Sequence, residues 1–131
     1  MGLLPEIENR SSVRKFKKTE LDPSKLSRIL EAGRLAPSAK NRQPWRFVVI
    51  DNPELKERIA EAAYGQSHVR DAGAVIVACS TNVEYVMPNG QLSYPIDISF
   101  AVAIFSIFSI LVWPIPLLGS FIILCKLKLS A

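Results

Sequence analysis

Histidine and cysteine are scarce in this chain. His68 is the only histidine among 131 residues, and Cys79 and Cys125 are the only cysteines. One imidazole cannot build a histidine-based metal cluster. Without a patterned partner it supports no histidine-dependent nucleophile either. A satisfied structural histidine is the simpler reading, and Cys79, closing an apolar stretch, reads as an inert buried thiol. Two thiols make no disulfide framework. With no signal-peptide pattern at the start, they point to a reducing, cytoplasmic setting. The opening Met-Gly is no myristoylation signal, because Glu6 stands where Ser or Thr is needed. Neither a P-loop nor a G-x-G-x-x-G fingerprint occurs, which argues against a Rossmann dinucleotide site. Sixteen Lys/Arg against twelve Asp/Glu give a scattered +4, too mild to announce a nucleic-acid partner.

Apolar material is plentiful. Hydrophobic residues make up 49% of the chain and charged ones 21%, so intrinsic disorder is excluded and one domain is the default at this length. The charge is unevenly spread. Residues 1–97 hold all twelve acids and fourteen of the bases, a net +2, whereas Ile98 to Cys125 is a run of 28 residues without charge. The chain therefore divides into a soluble α/β part, 1–97, and a hydrophobic tail, 98–131.

Local signals organise the first part. Residues 2–9 suit a short amphipathic helix, and Arg10 to Lys18 a loop or edge strand. Asp22-Pro23 and Asn52-Pro53 each combine a side-chain cap with a proline at the first helical position. The helix after Asp22 presents Leu26, Ile29, Leu30 and Gly33 on one face and ends before Pro37. The helix after Asn52 runs to about Ala63, with Leu55, Ile59 and Ala62 expected to face inward. Arg46–Ile50 and Ala74–Cys79 read as buried strands, the second covered on both faces. The order predicts a layered α/β or α+β domain.

Two segments carry candidate chemistry. In Arg10-Ser11-Ser12-Val13-Arg14, two guanidinium groups and two hydroxyls can converge on one phosphate. A solvated basic loop is the plainer alternative, and Lys15, Lys17 and Lys18 encourage it. In Ala36-Pro-Ser-Ala-Lys-Asn-Arg-Gln-Pro-Trp45, prolines restrain a loop bearing Ser38, Asn41 and Gln43, whose donors and acceptors suit the edge of a heterocycle. Trp45 reads as core rather than as a stacking platform.

Together these elements resemble the nitroreductase family of flavin enzymes. The likeness runs through RSSVRKF, ILEAGRLAPSAKNRQPWRFVVIDNPELKERIAEAAYGQ and DAGAVIVACS, and ends near YPIDISFA, about residues 8–101. It implies a mixed sheet flanked by helices. Arg10, Ser11, Ser12 and Arg14 would hold the phosphate and ribityl chain of FMN. Pro37, Ser38, Ala39, Asn41 and Gln43 would line the flavin ring across a homodimer interface, with Gln66 near the ribityl or pyrimidine side. It further implies NAD(P)H as reductant and a small-molecule acceptor such as a nitroaromatic or quinone, with the flavin performing the hydride chemistry.

Beyond residue 101 the family pattern stops. Family members continue into a long helix, a Gly-Leu-Gly-Thr-Cys-Trp-like turn near flavin N5 and a basic C-terminal segment. Neither the turn nor the basic segment is recognisable in AVAIFSIFSILVWPIPLLGSFIILCKLKLSA, so the fold is expected to be incomplete at its C-terminus. Three origins stay open for residues 98–131: a membrane span, since the run exceeds the roughly 20 residues a bilayer requires; a tail packed on the sheet or a partner; or a reading-frame shift shortly after residue 101, which is favoured. The expectations that follow are an impaired flavin oxidoreductase with weak or absent FMN binding or, alternatively, a non-catalytic membrane-tethered protein with a degenerate flavin-fold module.

Overall fold

In the computed structural model, residues 2–16, 22–112 and 124–126 are described, the last three by their backbone alone. Pro5–Glu8 forms a one-turn helix, α1, shorter than the amphipathic helix expected over 2–9. Residues 10–16 follow without regular structure, so the edge-strand option fails for them; Lys17 and Lys18 lie outside the described residues.

Helix α2, Pro23–Arg34, starts where Asp22 predicts. The Asp22 carboxylate accepts the Ser24 N–H at 2.9 Å, and Ile29 and Gly33 are buried. Strand β1, Trp45–Ile50, leads to α3, Pro53–Ala62, which is capped by the Asn52 side chain accepting the Leu55 N–H at 3.0 Å. The phase of α3 differs from expectation. Ala60 and Ala63 are buried, Leu55 and Ala62 are exposed, and Ile59 is half-buried. Small residues form that face because α3 packs closely on the short helix α4, Ser67–Asp71. Strand β2, Val75–Ser80, is buried along nearly its whole length.

Helix α5, Tyr94–Val112, runs unbroken through residue 97, where the soluble part was expected to give way to the tail. It packs on α2 and touches β2. Strands β1 and β2 pair antiparallel, from Trp45 opposite Ser80 to Ile50 opposite Val75. Strand β3, Leu124–Lys126, adds in parallel to β2, with Cys125 opposite Cys79. The sheet is therefore mixed. One face packs Ile50, Val75 and Val77 among Ala60, Ala63, Val69 and Ala72, with Phe16 against them. The other packs Trp45 and Phe47 against Ile29, Ala36, Ala101 and Phe105.

The contact between α2 and α5 turns on Gly33. A Cβ there would overlap the Phe105 ring, lying 2.7 Å from Cδ1 and nearer still to Cε1 and Cζ. Phe105 is fully buried and meets Phe47 edge-on, with centroids 4.6 Å apart.

Candidate functional site

The turn between α2 and β1 is built by its own hydrogen bonds. Ser38 is extended, and its backbone carbonyl accepts the Asn41 N–H at 2.9 Å while Ala39 O accepts that of Arg42 at 3.2 Å. The Ser38 hydroxyl oxygen accepts the Gln43 N–H at 2.8 Å, and Trp45 N–H closes back on Gln43 O at 2.9 Å. To fit these bonds, Lys40, Asn41 and Gln43 adopt left-handed conformations, with φ of 54°, 53° and 49°. Asparagine tolerates this region, but Lys40 and Gln43 each incur a cost on the order of 1–2 kcal/mol, so the turn persists only because its surroundings over-determine it.

Three supports are visible. Asp97, 2% exposed in the first turn of α5, accepts the Ala39 N–H at 2.7 Å through Oδ1. Pro44 O accepts the Thr81 N–H at 3.0 Å and lies 3.1 Å from the buried Ser80 hydroxyl, which tie the end of the turn to the end of β2. The Arg42 guanidinium stacks 3.7 Å above the Tyr85 ring, with Lys40 Nζ 5.4 Å from the same ring. The result is a braced platform presenting the exposed Asn41 and Gln43 side chains, whose amides make no hydrogen bond among the described residues.

The amino-terminal group sits on a different support. Arg10, Ser11, Ser12 and Arg14 are all exposed on the irregular stretch after α1. It is anchored at one end by the Arg10 N–H bonded to Ile7 O at 3.3 Å and at the other by Phe16 in the core. Their side chains make no hydrogen bond or ion pair among the described residues. The chemistry for an anion is therefore unspent.

The structure brings Pro37, Ser38, Ala39, Asn41 and Gln43 together on one turn. Arg10, Ser11, Ser12 and Arg14 lie together on one strip. No hydrogen bond joins the two groups among the described residues. Gln66 is half-buried at the N-cap position of α4 without capping it. A groove of about 430 Å³ lies elsewhere, between α2 and α5, lined by Ser27, Arg28, Glu31, Ala32, Leu35 and Phe108. None of the expected site residues lines it. Near its rim the Arg34 guanidinium, bonded at 2.7 Å, holds the Glu31 carboxyl below its ordinary value.

Sequence reasoning missed Asp97 and Tyr85. A signal for Asp97 existed: it is the last charge before the apolar run, where an acid must find a partner. Tyr85 carried none, because its role depends on where the segment after β2 travels.

A profile of the nitroreductase family matches residues 7–107. The chain belongs to the nitroreductase family. The match reaches further into α5 than the stretch 8–101 expected from motifs. An NADH dehydrogenase from Thermus thermophilus is 47% identical over 68 residues, covering 52% of this chain and 33% of that protein. The structure resembles a nitroreductase family protein from Clostridium novyi, with a TM-score of 0.75 and 29% identity over 83% of this chain and 64% of that one. An FMN-dependent nitroreductase from Clostridium difficile gives a TM-score of 0.67 and 27% identity, covering 79% and 58% respectively. This nitroreductase-family chain thus spans about a third of the Thermus relative and under two thirds of both solved structures.

Proposed function

We propose that this chain carries the FMN-holding elements of an NAD(P)H-dependent oxidoreductase. The observation that supports it most is the pre-shaped turn, held in costly left-handed geometry with two amides turned outward and unspent. The donor set suits the cofactor in kind. Arg10 and Arg14 supply forked permanent cations for a phosphate, and Ser11 and Ser12 supply hydroxyl donors beside them. Asn41 and Gln43 offer both donors and acceptors to a heterocycle edge, with Pro37, Ser38 and Ala39 forming the floor of that platform and Gln66 serving the ribityl or pyrimidine side. Bound there, FMN supplies two-electron hydride chemistry between NAD(P)H and a nitroaromatic, quinone or similar acceptor. The protein's own part is to bind, orient and shield, and no side chain acts as acid or base.

Among the described residues no hydrogen bond joins the two groups within one chain, and we assign that task to a second copy. In a homodimer the turn of one copy faces the arginine strip of the other. Residues 98–131 do not supply the family's N5-facing turn or its basic segment in recognisable form, so we place FMN binding well below that of a full site and the reaction as impaired. The cytoplasm is the compartment that suits the two reduced thiols.

Titration of the purified full chain with FMN, read by flavin fluorescence and by light scattering for dimerisation, tests this. A saturable, reversible quench is expected. Arg10→Ala should weaken it by roughly tenfold to a hundredfold, the equivalent of about 1.5–3 kcal/mol for charged hydrogen bonds. Absence of any saturable binding would overturn the assignment. Co-purification of near-equimolar flavin would overturn the weak-binding part alone.

A further inference from the structure

We propose that Asp97 is the positioning residue of the turn that faces the flavin: its buried carboxylate fixes the left-handed conformation of Lys40, Asn41 and Gln43 before any ligand arrives. Three observations carry this. Asp97 is 2% exposed, and its Oδ1 takes the Ala39 N–H at 2.7 Å across 58 positions of sequence. The bond lands at the start of the strained stretch, immediately before the first left-handed residue. Oδ2 has no hydrogen-bond donor among the described residues. A buried carboxylate with one unanswered oxygen is a poor way to stabilise a core, and its place at the head of α5 makes sense when the oxygen that is answered has work to do.

Ala39 makes the mechanical logic plain. Its N–H is the first donor of the short helical turn Ala39–Asn41, and that turn has no side-chain cap. Ser38 spends its hydroxyl oxygen on Gln43 instead. Asp97 therefore performs from α5 what an N-cap residue does from the neighbouring position. Without it, the turn keeps its internal bonds but loses the tie that sets its height and angle over the sheet. Asn41 and Gln43 would then sample several poses, and a ligand would have to order them on binding.

The inference rests on the flavin reading for what the turn meets, but not for what Asp97 does to the turn. Hydrogen exchange followed by mass spectrometry on the full chain separates the two. In Asp97→Ala, peptides covering 37–45 should exchange at least about tenfold faster, the consequence of losing one charge-assisted hydrogen bond. Peptides over β2 should remain within about threefold of wild type, since their ladder is untouched. Asp97→Asn keeps an acceptor oxygen for Ala39 and should restore most of the protection. Ala39→Pro removes the donor at the other end, with Ser38 already in the extended region that a following proline requires, and should reproduce the loosened turn. In a wild-type chain that binds FMN, Asp97→Ala should weaken binding about tenfold or more and Asp97→Asn much less. Unchanged exchange over 37–45, or uniform acceleration across the chain, overturns the proposal. A loosened turn with unchanged FMN affinity also overturns it. A wild-type chain that binds no FMN refutes the flavin reading, while the exchange pattern still decides the role of Asp97.

Discussion

Replacing Gly33 by alanine sets two effects of opposite sign against each other. At an exposed mid-helix position the change would stabilise α2 by about 1 kcal/mol, since alanine is the better helix former. Here the added methyl would lie within contact of three ring carbons of Phe105. That ring is fully buried, edge-on against Phe47 and in one cluster with Ile29, so it cannot swing aside without disturbing both. Overpacking of this kind costs roughly 1–3 kcal/mol, and the trapped ring selects the upper half of that range. The expected net effect is a loss of about 1–2 kcal/mol. Urea denaturation followed by circular dichroism should show a lower midpoint with an unchanged slope. Phe105→Ala alone removes a core aromatic and should cost about 3–5 kcal/mol. The double variant should cost at least about 1 kcal/mol less than the sum, because the new methyl partly fills the space the ring leaves. If Gly33→Ala stabilises the chain, or the two changes simply add, then α5 does not rest on α2 at this point and the packing described is wrong.

Two further predictions concern the helix starts. Asn52→Ala should cost about 1 kcal/mol by removing the acceptor for the Leu55 N–H, whereas Asn52→Asp should hold stability; a loss within error of zero in urea melts shows that the cap does not form. The Asp22 carboxyl is held below its ordinary value of 3.8, first by the Ser24 hydroxyl and then by the Ser24 backbone N–H. Because the folded value is the lower one, this contribution is fully present above the ordinary value and disappears as pH falls through the folded one. Asp22→Asn should therefore flatten that part of the stability–pH curve, and identical curves for the two proteins would contradict the capping interaction.

Helix starts were legible because their signals are local. Asp22-Pro23 and Asn52-Pro53 announce caps that both form, and Trp45 and β2 are buried as their apolar neighbours imply. The inner face of α3 was misjudged for a physical reason. Hydropathy weighs Leu55 above Ala60, but a close approach between α3 and α4 selects the smaller side chain. Helix α4 itself has five residues and one buried apolar side chain within it, Val69, too little for any periodicity to show. The site was half legible. Motif spacing singled out both groups of residues as candidates, but the left-handed backbone at Lys40 leaves no trace in a lysine, and the tie to Asp97 joins residues that only the fold brings together.

Helix α5 shows why composition misleads over the stretch that follows. An 18-residue window within its 19 residues has a mean hydropathy of 2.2, so by length and composition alone it is long and apolar enough to cross a membrane. A helix apolar on all sides is either a span or a buried element, and hydropathy does not separate the two. Its contacts do. Asp97, Ile98, Ala101 and Phe105 form one buried stripe against α2 and the sheet, and the Asp97 carboxylate is bonded to a turn of the same domain. Ser99 and Ser106 donate to the carbonyls of Pro95 and Val102, and Ser109 to that of Ser106, so these hydroxyls need no external partner. The opposite stripe carries Ile96, Phe100 and Leu111, all exposed on this one chain. Two apolar faces with different neighbours, one packed and one open, sum to the hydropathy of a span. The packed face places this helix inside the domain, and the open one is surface that a solitary soluble chain rarely leaves uncovered.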